Sequence, residues 1–196
     1  MFRFGYKMKL NDTGDILAVG GYMSNDGAGR VQVFQYDGSN WNQIGQDIVG
    51  SAGDHSGEGL SLNGSGNIVA IGSPDYNDYE GKIQVFEYNG SNWNQIGQIN
   101  GLTGGNYNYS CMYGFGKTVA LNQSGSIVAG GAPGWHPTNC NSSPIGLVRV
   151  FEITTGNYDC DGNCFNDLDG DGICDEFEII GCSDSTALNY NPDATE

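Results

Sequence analysis

Short runs of alternating apolar and polar residues fill positions 1–156, separated by polar turns rich in asparagine and glycine. Period-two alternation marks a strand with one buried face, and Asn/Gly turns between such runs mark hairpins. The runs recur in a fixed grammar. Gly5, Gly57 and Gly116 are each followed five residues later by a leucine (Leu10, Leu62, Leu121) and fifteen residues later by a glycine (Gly20, Gly72, Gly131). Between leucine and second glycine stand the turns Asn11-Asp12-Thr13-Gly14, Asn63-Gly64-Ser65-Gly66 and Asn122-Gln123-Ser124-Gly125, each leading into an apolar run. Nine residues after the second glycine, Gly29 and Gly81 open Gly-Arg-Val-Gln-Val-Phe and Gly-Lys-Ile-Gln-Val-Phe, and Trp41 and Trp93 then open identical Trp-Asn-Gln-Ile-Gly-Gln segments.

The pattern predicts strands near Tyr6–Leu10, Asp15–Gly20, Arg30–Tyr36 and Trp41–Gln46. The second copy places them near Gly59–Leu62, Asn67–Gly72, Lys82–Tyr88 and Trp93–Gln98, and the third near Lys117–Leu121, Ser126–Gly130 and Leu147–Ile153. Four short strands per copy, at a period of 52 residues from Gly5 to Gly57, is the spacing of a propeller blade. Gly57 to Gly116 takes 59 residues, so seven have been added between blades, and in the third copy Gly131 to Gly146 takes fifteen where the other copies take nine, an addition of six. The expected fold is all-β: three four-stranded antiparallel blades (about 4–56, 57–115 and 116–156) of an incomplete propeller, since closure takes about four. A small irregular C-terminal segment follows. Equivalent inward positions are expected for Leu10, Leu62 and Leu121, and for Phe34, Phe86 and Phe151. Val31 and Val33 share a face that excludes Phe34.

The Phe-Gly … Gly-Ala-Pro frame, with Leu-Asn-x-x-Gly-x-x-Ala between, resembles the FG-GAP repeat of integrin-α-like propellers over roughly residues 4–156. The resemblance implies a secreted or surface module that binds proteins or glycans, as part of a longer chain with further blades or domains. Many blades of that family carry an Asp-x-Asp-x-Asp-Gly calcium loop in the first hairpin. Here the corresponding turns hold too few carboxylates for a hard divalent cation, which predicts hydrogen-bonded turns instead.

Charge divides the chain. Of 23 acidic residues, eleven fall in 157–196, a stretch with no Lys or Arg, and the remaining twelve share 1–156 with all seven cations. Nucleic acid is excluded as a partner because phosphate binding needs clustered cations. No apolar run reaches the roughly 20 residues that a membrane-spanning helix needs, so membrane insertion is not expected. The N-terminal residues lack a signal peptide's apolar core.

A bare acidic tail repels itself unless a cation binds it. Counting Asp167 as position 1, carboxylates fall at 1, 3, 5, 9 and 12 (Asp167, Asp169, Asp171, Asp175, Glu178), with Gly172 at 6 and the Ile173 carbonyl at 7. That is the oxygen spacing of an EF-hand-type calcium loop, although the apolar residue sits at position 7 rather than 8 and flanking helices are not predicted. Asp159, Asp161 and Asn163 begin a weaker second loop. Acidic loops laced with cysteines resemble thrombospondin type 3 repeats (157–180), and residues 181–196 resemble a short Cys-containing repeat of secreted bacterial surface proteins, here truncated. Calcium is the expected cofactor.

Both insertions carry a cysteine, Cys111 and Cys140, and no regular copy has one, so a Cys111–Cys140 disulfide is the simplest account. Cys160, Cys164, Cys174 and Cys182 allow three pairings, left open. Disulfides imply a secreted or cell-surface location. Trp41 and Trp93 recur at one repeat phase and read as packing, whereas Trp135, in the irregular loop, is the candidate for ligand contact. His55 and His136 read as isolated loop residues. With no catalytic constellation in view, the chain is expected to be a non-enzymatic binding or adhesion module. The alternative is a glycan-binding propeller attached to a secreted carbohydrate-active enzyme.

Overall fold

A computed structural model describes residues 4–101, 114–134 and 146–153. The chain divides into two units, Met1–Ile153 and Thr154–Glu196, and the described residues all belong to the first. These residues are all-β, built of three antiparallel sheets, none closed on itself. Sheet 1 comprises β1 (Lys7–Leu10), β2 (Ile16–Gly21), β3 (Arg30–Tyr36), β4 (Trp41–Gln43) and β5 (Ile48–Val49). Sheet 2 comprises β6 (Gly59–Leu62), β7 (Ile68–Ser73), β8 (Lys82–Tyr88) and β9 (Trp93–Asn100). Sheet 3 comprises β10 (Thr118–Leu121), β11 (Ile127–Ala132) and β12 (Leu147–Glu152). In each sheet, strands pair in the order in which the chain visits them, with β5 joining β3 beyond the end of β4.

The repeat register is visible in the ladders. Lys7 pairs with Gly20, Gly59 with Gly72 and Thr118 with Gly131, so the fifteen-residue glycine spacing spans one hairpin. Its physical cause lies between sheets. A β-carbon on Gly20 would run into the Gly57 carbonyl, and one on Gly72 into the Gly116 carbonyl. Each pair of glycines therefore lets the next sheet begin in backbone contact with the previous one. Parallel bridges Gly29–Ser56 and Gly81–Phe115 fasten the same junctions.

Two cores fill the spaces between sheets. Ile16, Ala18, Val31 and Val33 of sheet 1 meet Leu60, Leu62, Val69, Ile71 and Trp93 of sheet 2. Ile68, Ala70, Ile83 and Val85 on the other face of sheet 2 meet Phe115, just before sheet 3, and Val128 within it. Each aliphatic side chain fully buried this way contributes roughly 1.5–3 kcal/mol. Phe86 packs on the first core while Val85 lies in the second, as strand alternation requires. Leu10 departs from expectation: Leu62 is buried, but Leu10 is 56% exposed because no sheet of the described residues packs on its face of sheet 1.

The two Trp-Asn-Gln-Ile-Gly-Gln segments differ. Trp93 opens one continuous strand, whereas after Trp41 the strand leaves the ladder at Ile44 and returns as β5. The Trp93 indole packs directly on Gly45 and its Nε1 donates to the Ile44 carbonyl at 3.0 Å, which draws that segment toward sheet 2.

Candidate functional site

The ends of the sheets are unlike each other. At one end lie the turns after β1, β6 and β10. The Asn11 side-chain oxygen accepts from the Asp15 and Ile16 N–H groups at 3.0 and 2.9 Å, while its amide donates to Thr13 and Asp15. Asn63 repeats the arrangement with Ser65, Asn67 and the Ile68 N–H, and Asn122 with Ser124, Ser126 and the Ile127 N–H. Hydrogen bonds thus close the hairpins from within, as the sequence predicts.

At the opposite end, the connection from β5 to β6 carries Asp54, His55 and Glu58, and three polar side-chain contacts radiate from it. Asp54 and Lys82, at the start of β8, form a buried ion pair at 3.0 Å, with the Lys82 ammonium 4.0 Å from the Tyr76 ring centroid. His55 Nδ1 is in hydrogen-bond contact with Asp75, just beyond β7. Glu58 pairs with Lys117, just before β10, at 2.6 Å. His55 is held with a φ of 53°, a left-handed conformation that costs a non-glycine residue about 1 kcal/mol or more. Its N–H donates to the Gly27 carbonyl and its carbonyl accepts from Glu58, which fix it there. Tyr22 meets the imidazole edge-on at 5.4 Å, and Tyr6 meets Tyr22 at 4.5 Å.

Donor atoms of His55, Glu58 and Asp75 lie within 4.8 Å of one another, near enough to share a cation. Lys117 already brings a positive charge to Glu58, however. Burial works against that ammonium, but the hydrogen bond and charge of Glu58 outweigh it and hold the Lys117 pKa above its ordinary value. The group therefore stands as a network of the Glu58–Lys117 ion pair and the His55–Asp75 hydrogen bond. It offers aromatic faces, hydrogen-bond donors and acceptors in one place, drawn from all three sheets.

The sequence reading missed this cluster, because His55 and Asp75 look isolated along the chain. The repeat carried a usable signal: residues just before Gly57 must pack beside those just after Gly72, where Asp75 stands. The predicted calcium ligands Asp167, Asp169, Asp171, Ile173, Asp175 and Glu178, the weaker set Asp159, Asp161 and Asn163, all six cysteines, Trp135 and His136 lie outside the described residues. Of the two tryptophans read as packing, Trp93 is 2% exposed, while Trp41, against which no sheet of the described residues packs, is 43% exposed. Among the described residues, no helix is long and apolar enough to cross a membrane.

No protein-family model matches the chain, and no curated protein matches it. A matching solved structure is that of a provisionally assigned 6-phosphogluconolactonase from Bacteroides fragilis, 12% identical, with a TM-score of 0.41. The match covers 76% of this chain and 39% of that one. One expectation is corrected here. The chain was expected not to be an enzyme; the matched structure is described as one, so that expectation is withdrawn. A likeness at this TM-score gives no activity to this chain in its place.

Proposed function

We propose that the chain is a repeat-built binding module of a secreted or cell-surface protein, its sheets successive propeller blades of the FG-GAP kind. Its ligand, an extracellular protein or a glycan, meets the end of the sheets that carries His55. The observation behind this reading is the convergence there of Tyr6, Tyr22, His55, Asp75, Glu58 and Lys117 from three sheets. The glycan reading draws on the same place, since sugars are recognised by aromatic faces beside groups that hydrogen-bond hydroxyls. Screening the purified chain against a glycan array and a panel of immobilised extracellular proteins tests it. Tyr22→Ala and His55→Ala should each weaken the ligand found by tenfold or more, on the order of 1.4 kcal/mol. Ser39→Ala, at the opposite end, should leave binding unchanged. Binding that ignores both cluster variants would overturn the assignment.

The C-terminal segment enters the proposal as a calcium-stabilised spacer, on the strength of its donor set. Five carboxylates and one carbonyl at EF-hand spacing suit calcium over the smaller magnesium, which demands near-ideal octahedral geometry. Calorimetric titration of the whole chain should give a dissociation constant on the order of 0.1–1 mM, weakened in Asp171→Ala and unchanged in Asp184→Ala. No heat at millimolar calcium would remove the site.

A further inference from the structure

The same interface is built twice in this chain, and both halves of a third stand open. Val31 and Val33 of sheet 1, and Ile83 and Val85 of sheet 2, have no exposure because the following sheet covers them. Their repeat equivalents in sheet 3, Val148 and Val150, are 72% and 64% exposed. On the opposite side, Leu60, Leu62 and Trp93 of sheet 2 are buried against the preceding sheet, whereas Met8, Leu10 and Trp41 of sheet 1 are exposed.

The open edge of sheet 3 also carries an empty socket. In sheet 2, Gly72, Pro74 and Gly81 lie so close to the incoming Gly114-Phe115-Gly116 backbone that a β-carbon on Gly72 or Gly81, or one on Gly114, would overlap it. The equivalent Gly131, Pro133 and Gly146 line a pocket of about 250 Å³ that also touches Leu147 and Val148. Among the described residues, nothing of a following sheet approaches Gly131 or Gly146. Thr118, at the pocket wall, stands where Lys7 stands in sheet 1, and sheet 1 accepts the Ser56-Gly57 segment despite a side chain there. The segment that fits such a socket is a Phe-Gly opening a sheet, and Phe4-Gly5 is one, with Phe4 itself exposed.

We propose that a second copy of this chain packs sheet 1 onto sheet 3 of the first, head to tail, with its Phe4-Gly5 in the pocket at Gly131 and Gly146. The argument is independent of the ligand reading. It rests on one chain carrying both halves of an interface that it already makes internally twice. Contact between two different patches is heterologous, so it closes a ring or propagates according to the rotation between copies.

Light scattering after size-exclusion chromatography over a hundredfold range of concentration tests this on the full chain. Wild type should rise in mass with concentration. Val148→Asp and Met8→Asp, both exposed in a single copy, should each stay monomeric with unchanged thermal unfolding. An equimolar mixture of the two should form a 1:1 pair and nothing larger, because one intact patch of each kind remains. A wild type that is monomeric throughout overturns the proposal, the face then being covered by other residues of the same chain. Oligomers that survive both substitutions, or that only Val148→Asp abolishes, overturn it as well.

Discussion

Asn11, Asn63 and Asn122 perform one task three times at one end of the sheets. At the other, Tyr6, Glu58 and Lys117 occupy a single repeat position with three chemistries. Each asparagine turn satisfies its own hairpin first and meets the neighbouring turns through hydrogen bonds alone, such as Asp12 N–H to the Gly64 carbonyl and the Gln123 amide to the Asp12 carboxylate at 3.0 Å. The variable end works across sheets: Glu58 needs Lys117, Asp54 needs Lys82 and His55 needs Asp75. A repeat holds its fold by what it repeats and gains individuality where it does not. The first end is thus expected to govern stability and the second recognition.

Asp54→Ala should break that division most sharply. It lies at the recognition end, yet it would leave the Lys82 ammonium buried without its partner, a loss of about 3–5 kcal/mol. Urea denaturation would measure it, and pairing Asp54→Leu with Lys82→Met should recover most of the loss. An unchanged midpoint for Asp54→Ala would mean that water reaches the pair. Asn63→Ala comes next. It strands the buried Ile68 N–H and opens a turn, for roughly 2 kcal/mol, and should leave ligand binding at the far end intact.

The smallest effect concerns pH. The Thr13 hydroxyl and the Asn11 amide hold the Asp15 carboxyl below its ordinary value, and the Asn40 and Ser39 N–H groups with the Asn42 amide do the same for Asp37. A depressed carboxylate contributes stability that is fully present above its unfolded value of 3.8 and is lost as pH falls through the folded one. Stability should therefore hold from neutrality into the mildly acidic range and decline below about pH 4. Asp15→Asn with Asp37→Asn should flatten that decline in denaturation series at pH 7, 4 and 3. The raised Lys117 pKa acts at the other limit, its contribution being lost only in strong alkali.

The strands were legible because alternation and glycine spacing are local: Arg30–Tyr36 and Lys82–Tyr88 emerge with the bounds that the pattern predicts. The turn chemistry was legible for the same reason, since an Asn followed by Thr or Ser two residues later and Gly three later lies within hydrogen-bonding reach of its own hairpin. What alternation could not convey is which faces find a neighbour. Leu10 and Leu62 are identical in pattern and opposite in exposure, because burial depends on the sheet beyond. The His55 cluster escaped for a related reason. His55 and Asp75 are twenty residues apart and meet only once the glycine junction has brought two sheets together.

The glycine junctions also set an order of assembly. Apart from β5, which pairs with β3, every strand among the described residues pairs with a neighbour in sequence, so each hairpin can close as soon as it leaves the ribosome. The Gly72 junction, by contrast, stays open until Gly114-Phe115-Gly116 has been synthesised. A growing chain of this design always trails one unfilled socket behind its newest sheet, and the next repeat to emerge is the part that fills it.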